Sequence, residues 1–115
     1  TRLEEITLLK AEALAALGSN NTEAYNLLNT IRSLRGLSTL SASGNSNLLD
    51  EIFKERRREL AGEGWRWYDL VRYNKIKRNN PAFNTLINEG GIYWPIAAEV
   101  MNRNSLIVQN PYWQD

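Results

Sequence analysis

Residues 55–70, ERRRELAGEGWRWYDL, hold the side chains of this 115-residue chain that come nearest to an acid–base site. The carboxylates Glu59, Glu63 and Asp69 are the residue types of a glycosidase pair, which needs two carboxyl groups about 5 to 9.5 Å apart. The neighbouring arginines argue against that chemistry, because a nearby cation lowers the pKa that a general acid needs raised. The segment therefore predicts no catalytic residue, and we do not expect an enzyme.

The run Arg56-Arg57-Arg58 has the composition of a nucleic-acid contact. Such contacts normally need clustered, excess positive charge. Here Glu55 and Glu59 flank the run, and 14 Lys and Arg against 13 Asp and Glu leave the whole chain at +1. We therefore expect no nucleic-acid partner.

Histidine and cysteine are both absent from the chain. The sequence consequently offers no imidazole base, no thiolate nucleophile and no zinc-finger ligand set. A metal site would have to use oxygen ligands alone, and no loop resembles an EF-hand. No apolar stretch approaches the roughly 18 to 20 residues of a membrane span. We predict neither a cofactor nor a metal.

The first third of the chain has the spacing of two helices. Apolar residues recur at helical intervals over residues 2–17 and again up to Arg35, and Gly18 and Gly36 follow as C-terminal stops. Together they predict an αα-hairpin of tetratricopeptide-like size over residues 1–36. The apolar side predicted for the first helix consists of Leu3, Ile6, Lys10, Ala13, Leu14 and Leu17. A single hairpin cannot close a core, so further helices must pack on it.

The rest of the chain predicts one more helix pair and a folded tail. One helix runs from Leu48 to about Gly62 and the next from Trp65 to about Lys75, with Gly64 between them. Turn signals dominate afterwards, with an extended stretch at Ile92–Ile96 and one helical turn at Ala97–Asn102. The predicted fold is all-α, a single domain over residues 1–115. Its parts are the hairpin 1–36, a polar loop 37–47, the helix pair 48–75 and an irregular tail 76–115 packed on the helices.

The charged segment predicts a structural network of ion pairs. Arg56 and Glu63 lie two turns apart on the apolar face of the third helix, and Arg66 and Asp69 are three residues apart on the fourth. Arginine suits such a network because its planar guanidinium pairs with carboxylates through two parallel hydrogen bonds. We therefore expect a buried or half-buried charge lattice of these four residues.

The same segment resembles the C-terminal signature of the SusD/RagB family, commonly E-R-R-x-E-L-x-x-E-G-x-R-W-x-D-L. All eleven fixed positions of this sixteen-residue signature match. The stretches KAEALAALG and EAYNLLNTIRSLRGL resemble the preceding helices of the family, and YWPIAAEV…NSLIVQNPYW resembles its closing pattern. The departures from the family pattern are Trp65, Ala97, Ser105 and Tyr112, and they concern the conformation of the last turn.

The resemblance implies a binding protein without a chemical step. Members are outer-membrane lipoproteins that capture glycans or other nutrients at the cell surface for a TonB-dependent transporter of the SusC type. Their scaffold is mostly helical with tetratricopeptide-like pairs. The chain resembles the C-terminal portion, so that a lipid anchor and most of the binding face are expected upstream. A helical protein–protein adaptor without a sugar site is the alternative.

No residue of the matching motifs carries a ligand role in the family, so ligand-binding residues are not assigned. Trp65 and Trp67 are more often helix-junction packing than a sugar platform. On aromatic character alone, the weak candidates for sugar contact are Trp65, Tyr93, Trp94 and Trp113.

Overall fold

A computed structural model describes residues 2–42 and 47–114, and within these ranges the chain contains helices and no strands. The helices are α1 (Leu3–Leu17), α2 (Asn21–Leu34), α3 (Leu48–Glu59), α4 (Arg66–Lys77), α5 (Pro81–Asn88), α6 (Ala98–Arg103) and a final 3₁₀ turn (Pro111–Trp113). The all-α prediction is therefore confirmed.

The chain divides into two compact units, unit 1 over Thr1–Asp69 and unit 2 over Leu70–Asp115. Unit 1 contains the first three helices and the first turn of α4, and unit 2 contains the rest. The prediction of one domain over the whole chain stays a prediction.

The core of unit 1 lies where α1 packs on both α2 and α3. Ala11 and Ala24 are fully buried, and their small side chains allow α1 and α2 to approach closely. Gly18 ends α1 with a φ of 64°, and the Asn20 side chain caps α2 by accepting a hydrogen bond from the Glu23 N–H at 3.0 Å. The buried core residues are Leu8, Ala11, Ala24, Leu28, Ile31, Leu48 and Ile52.

The apolar side predicted for α1 is wrong in its orientation. Leu3 and Leu17 are among the most exposed residues of the helix, and Lys10 forms a surface ion pair with Glu23. The buried side holds Leu8 and Ala11 together with Glu5 and Glu12. Apolar residues occur around most of α1, so the period alone does not decide which side is buried.

The predicted loop over residues 37–47 is tied to α2 in its described part. The Asn29 side chain accepts from the Leu40 N–H and donates to the Leu40 carbonyl oxygen, both at 2.8 Å. This pair imitates two backbone hydrogen bonds and holds Leu40 against the core. Residues 43–46 of this predicted loop lie outside the described residues.

The third helix ends three residues before the predicted end. Its last residue is Glu59, and the Leu60 N–H closes it on the Arg56 carbonyl oxygen at 2.9 Å. Gly62 and Gly64 then adopt φ values of 80° and 81°. Residues with a Cβ rarely adopt this conformation, so the two glycines turn the chain sharply into α4.

The tail holds more helix than the sequence pattern predicts. The helix α5 was not predicted, although Asn80 caps it by accepting from the Phe83 N–H at 3.2 Å and Pro81 occupies its first turn. Asparagine followed by proline is a helix-start signal that would have found it. Residues 92–96 form turns and irregular backbone and no strand, whereas the predicted helical turn at 97–102 corresponds to α6.

The closing residues of unit 2 are fixed by side-chain amides. The Gln109 amide accepts from the Ile96 N–H and donates to the Ile96 carbonyl oxygen, both at 2.9 Å. Asn110 donates to the Gly90 carbonyl oxygen at 3.3 Å. A Cβ at Gly91 would lie 2.8 Å from atoms of Leu86 and Tyr112, so only glycine fits there. The segment after α6 is therefore locked onto the segment after α5.

Candidate functional site

Arg56 and Glu55 are the most buried charged residues of unit 1, each 2% exposed, and Arg56 has the larger side chain. The Arg56 guanidinium has partners on two other helices. Its Nε donates to Asp69 Oδ2 at 3.1 Å and its Nη2 donates to Asp69 Oδ1 at 3.0 Å. Its Nη1 donates to the backbone oxygen of Glu5 at 3.3 Å, and the Glu12 carboxylate lies 3.6 Å from Nε. One guanidinium thus joins α3 to the first turn of α4 and to α1.

The structure brings together two of the four residues of the predicted charge lattice. Arg56 and Asp69 form the buried pair, whereas Glu63 and Arg66 are exposed. Glu63 forms an ion pair with Arg2 at 2.7 Å. The reason is the early end of α3, because Glu63 follows the helix and does not continue the face that carries Arg56.

Two further glutamates of α3 each accept from two arginines. Glu55 is buried and accepts from Arg32 at 2.8 Å and from Arg58 at 3.1 Å. Glu59 accepts from Arg35 at 2.7 and 3.0 Å and from Arg2 at 3.1 Å. Since Arg32 and Arg35 lie on or next to α2, these pairs hold the charged side of α3 against the end of α2.

The arginines also determine the acidity of Glu59. The hydrogen bonds from Arg35 lower the pKa of Glu59 most, partial burial opposes them, and the positive charges of Arg35 and Arg2 lower the pKa further. The same hydrogen bonds, which Arg35 donates and Glu59 accepts, raise the pKa of Arg35. A general acid needs a raised pKa, so the lowered pKa of Glu59 suits the anion of an ion pair and not a proton donor.

Sequence reasoning did not find the partners that α1 and α2 supply. Glu5 and Glu12 are seven residues apart and flank the buried Leu8, so they lie on one side of α1 facing the core. That spacing is visible in the sequence and would have indicated two acidic side chains on the core side of α1, which need a buried cation as a partner. The contribution of Arg32 has no such local signal, because it depends on how α2 and α3 pack.

The aromatic candidates lie in two different places in the chain. In unit 2, Tyr93 is 62% exposed, Trp94 77% and Trp113 42%. Trp113 Nε1 donates to the Tyr93 carbonyl oxygen at 2.9 Å, which fixes the last turn beside Tyr93. In unit 1, Trp65 is half-buried, and its ring centroid lies 6.0 Å from that of Tyr68. Unit 2 therefore presents three exposed aromatic side chains on two segments, which the hydrogen bond between Trp113 and Tyr93 joins.

Residues 2–42 and 47–114 contain neither a metal-binding cluster nor a membrane-spanning helix. No group of three or more acidic side chains there is arranged to hold a metal ion. No helix in these ranges is both long and apolar enough to cross a bilayer.

Comparison with known proteins decides the family. The model of the SusD family matches residues 1–113. The chain belongs to the SusD family. The predicted SusD/RagB resemblance is therefore confirmed.

Solved structures of the SusD family share the fold of this chain. A SusD superfamily protein from Bacteroides thetaiotaomicron aligns over 99% of the chain with a TM-score of 0.90 and 55% identity. A SusD homolog from the same organism aligns over 99% with a TM-score of 0.80 and 44% identity. The chain covers 26% and 25% of these two proteins.

Curated relatives of the SusD family come from Formosa agariphila. SusD-like protein P38 is 39% identical over 96% of the chain, and SusD-like protein P2 is 32% identical over 71%. The matched parts are 24% and 17% of these relatives. The chain thus spans about a quarter or less of the length of these SusD-family proteins.

Replacing Arg56 by Met should destabilise unit 1 by about 3 to 5 kcal/mol, because the buried Asp69 would lose the charge and the two hydrogen bonds of Arg56. Native-state hydrogen exchange of the core amides of α1 and α3 measures this loss. The matched control is Arg57→Met on the exposed side of the same helix, which should change stability by less than about 0.5 kcal/mol.

A second substitution separates charge from packing at this pair. Adding Asp69→Leu to Arg56→Met should recover part of the loss, because a buried carboxylate that has lost its two hydrogen bonds from Arg56 is removed as well. Equal stability of the Arg56→Met and Arg57→Met proteins would contradict the role assigned to the buried pair.

The stabilisation from Glu59 should depend on pH. Its folded-state pKa lies below the unfolded value of about 4.3, so its contribution is complete above that pH and is lost as pH falls through the folded pKa. The free energy of unfolding of the native chain should exceed that of Glu59→Gln at pH 7, and the difference should shrink below about pH 4.3. Glu99→Gln, in an exposed pair with Arg103, is the control and should show little change. A difference that grows on acidification would contradict the assignment.

Proposed function

We propose that this chain is the C-terminal helical part of a non-catalytic nutrient-binding protein of the outer membrane. The protein captures a glycan or oligosaccharide at the cell surface and delivers it to a TonB-dependent, SusC-like transporter. It is held at the membrane by a lipid anchor outside this chain. The observation that carries the proposal is the match of the SusD family model to residues 1–113.

The geometry of unit 1 supports ligand binding without a catalytic step. The carboxylates that most resemble a catalytic set are engaged by arginines, since Asp69 is paired with Arg56 and Glu59 with Arg35. Glu63 lies at the surface in a pair with Arg2. Carboxylates held as anions by guanidinium groups are poor proton donors at neutral pH. This arrangement favours a scaffold over an active site.

The exposed aromatic side chains of unit 2 are the surface that suits a sugar. Indole and phenol rings present a flat apolar face together with a polar group, which fits the C–H face and hydroxyl edge of a pyranose. Tyr93 and Trp94 precede Pro95, and the Gln109 amide holds the next residue, Ile96, by two hydrogen bonds. Such bracing reduces the conformational entropy lost when a ligand binds.

A helical protein–protein adaptor is the second candidate function. The exposed apolar residues of α1, including Leu3 and Ile6, support it, because apolar side chains grouped on a helix are typical of interfaces. The two functions differ in their ligand, so a binding experiment with glycans separates them.

Substituting Trp94 by Ala should weaken glycan binding by about tenfold or more, equivalent to about 1.4 kcal/mol. A glycan array followed by calorimetry on the best ligand measures this, with Leu106→Ala as control because Leu106 is an exposed apolar residue of the same unit. The control should bind like the native chain.

Two results would contradict the proposed function. The absence of binding across host, plant and microbial glycans would favour the adaptor. Release of reducing sugar that is lost in a folded Glu63→Gln protein would indicate an enzyme.

A further inference from the structure

The surface of unit 1 carries a pocket of about 260 Å³ next to the buried ion pair. Arg57 and Arg66 line it from the end of α3 and the start of α4, and Trp65 forms a wall. Gly62 and Gly64 form part of its lining, and nothing lies within 4 Å of the Cβ positions of these glycines. The glycine turn that ends α3 therefore also opens this space.

The pocket carries an excess of positive charge. Three guanidinium groups and one carboxylate line it. The carboxylate of Asp69 is already bound by Arg56 through two hydrogen bonds. Arg57 and Arg66 are exposed, and in residues 2–42 and 47–114 neither has a hydrogen-bond or ion-pair partner. Two unpaired guanidinium groups thus border one small concavity.

The chemistry of the lining selects a ligand class. Guanidinium groups bind carboxylate or sulfate through parallel, charge-assisted hydrogen bonds. The half-buried indole of Trp65 offers an apolar surface that a simple inorganic anion does not use. The volume is slightly below the roughly 300 to 1,000 Å³ of pockets for drug-sized ligands, which suits one sugar unit.

We propose that this pocket binds one acidic sugar unit of a glycan, with its carboxylate or sulfate held by Arg57 and Arg66 and its ring against Trp65. The inference rests on the glycan-capture function proposed above and names the ligand class as acidic glycans. The buried Arg56–Asp69 pair fixes the two helix ends that carry the binding arginines, so the site is preorganised.

The test compares charged and neutral probes on the full 115-residue chain. Digalacturonic acid, the sulfated and the neutral galactose disaccharides, sodium acetate and a glutamate-rich peptide are titrated while NMR signals of the Trp65 indole N–H and arginine Nε–H are followed. The uronate or the sulfated disaccharide should bind at least about tenfold more tightly than the neutral one, since only the anion can form charge-assisted hydrogen bonds with the two guanidinium groups.

Arg57→Gln and Arg66→Gln should each remove about tenfold of affinity for the acidic disaccharide and leave neutral-sugar binding unchanged. Both residues are exposed, so the fold should be retained, as circular dichroism would verify. The matched control is Arg58→Gln, because Arg58 is exposed and adjacent but pairs with Glu55 and does not line the pocket. It should bind acidic sugar within about twofold of the native chain.

Three results would overturn the inference. Equal binding of acidic and neutral disaccharides would do so, as would unchanged affinity in both glutamine variants. Acetate or the peptide competing as well as the disaccharide would show a general carboxylate site. If neutral glycans bind through Trp94 without a preference for acid, only this inference fails. If no glycan binds at all, the proposed function fails with it.

Discussion

Burial of the Arg56 guanidinium is the constraint on which unit 1 depends. Taking an isolated charge out of water costs several kcal/mol, so a buried arginine is tolerated only when partners surround it. Asp69 provides two hydrogen bonds, the Glu5 carbonyl oxygen a third, and Glu12 a second negative charge. These partners belong to α1 and to the first turn of α4. The elements are consequently tied to α3 by one residue, and the network specifies their arrangement more than it adds to stability.

The charged segment has two sides with different roles. Arg56 and Asp69 face the interior. Glu55 and Glu59 accept hydrogen bonds from arginines at the end of α2. The side that faces solvent carries Arg57, which borders a pocket that the glycine turn opens. The buried side explains why the segment serves as scaffold, and the exposed side provides the chemistry proposed for acidic sugars. Dense charge and tryptophan occur together because one short segment contributes both to the buried ion pair and to the exposed pocket.

Local sequence patterns predicted the hairpin, both signature helices and the position of Arg56 on an apolar face. They failed where the outcome depends on the backbone at glycine or on distant contacts. Gly62 and Gly64 end the helical face early, so Glu63 points to solvent and not along the stripe. The pairing of Arg56 with α1 joins residues 51 apart in the chain, which no local period reveals. The helix α5 was not predicted although its Asn80–Pro81 start is a local signal, because a helix of eight residues is too short to establish a clear apolar period.

The most direct test of this account is the solvent exchange of the Arg56 Nε–H proton, measured by NMR on the 115-residue chain at neutral pH. A buried guanidinium bound to Asp69 predicts a resolved Nε–H signal that exchanges far more slowly than that of the exposed Arg57, and that correlates with the Asp69 carboxylate. Exchange of the Arg56 proton as fast as that of Arg57 would contradict the central claim that this buried pair organises unit 1.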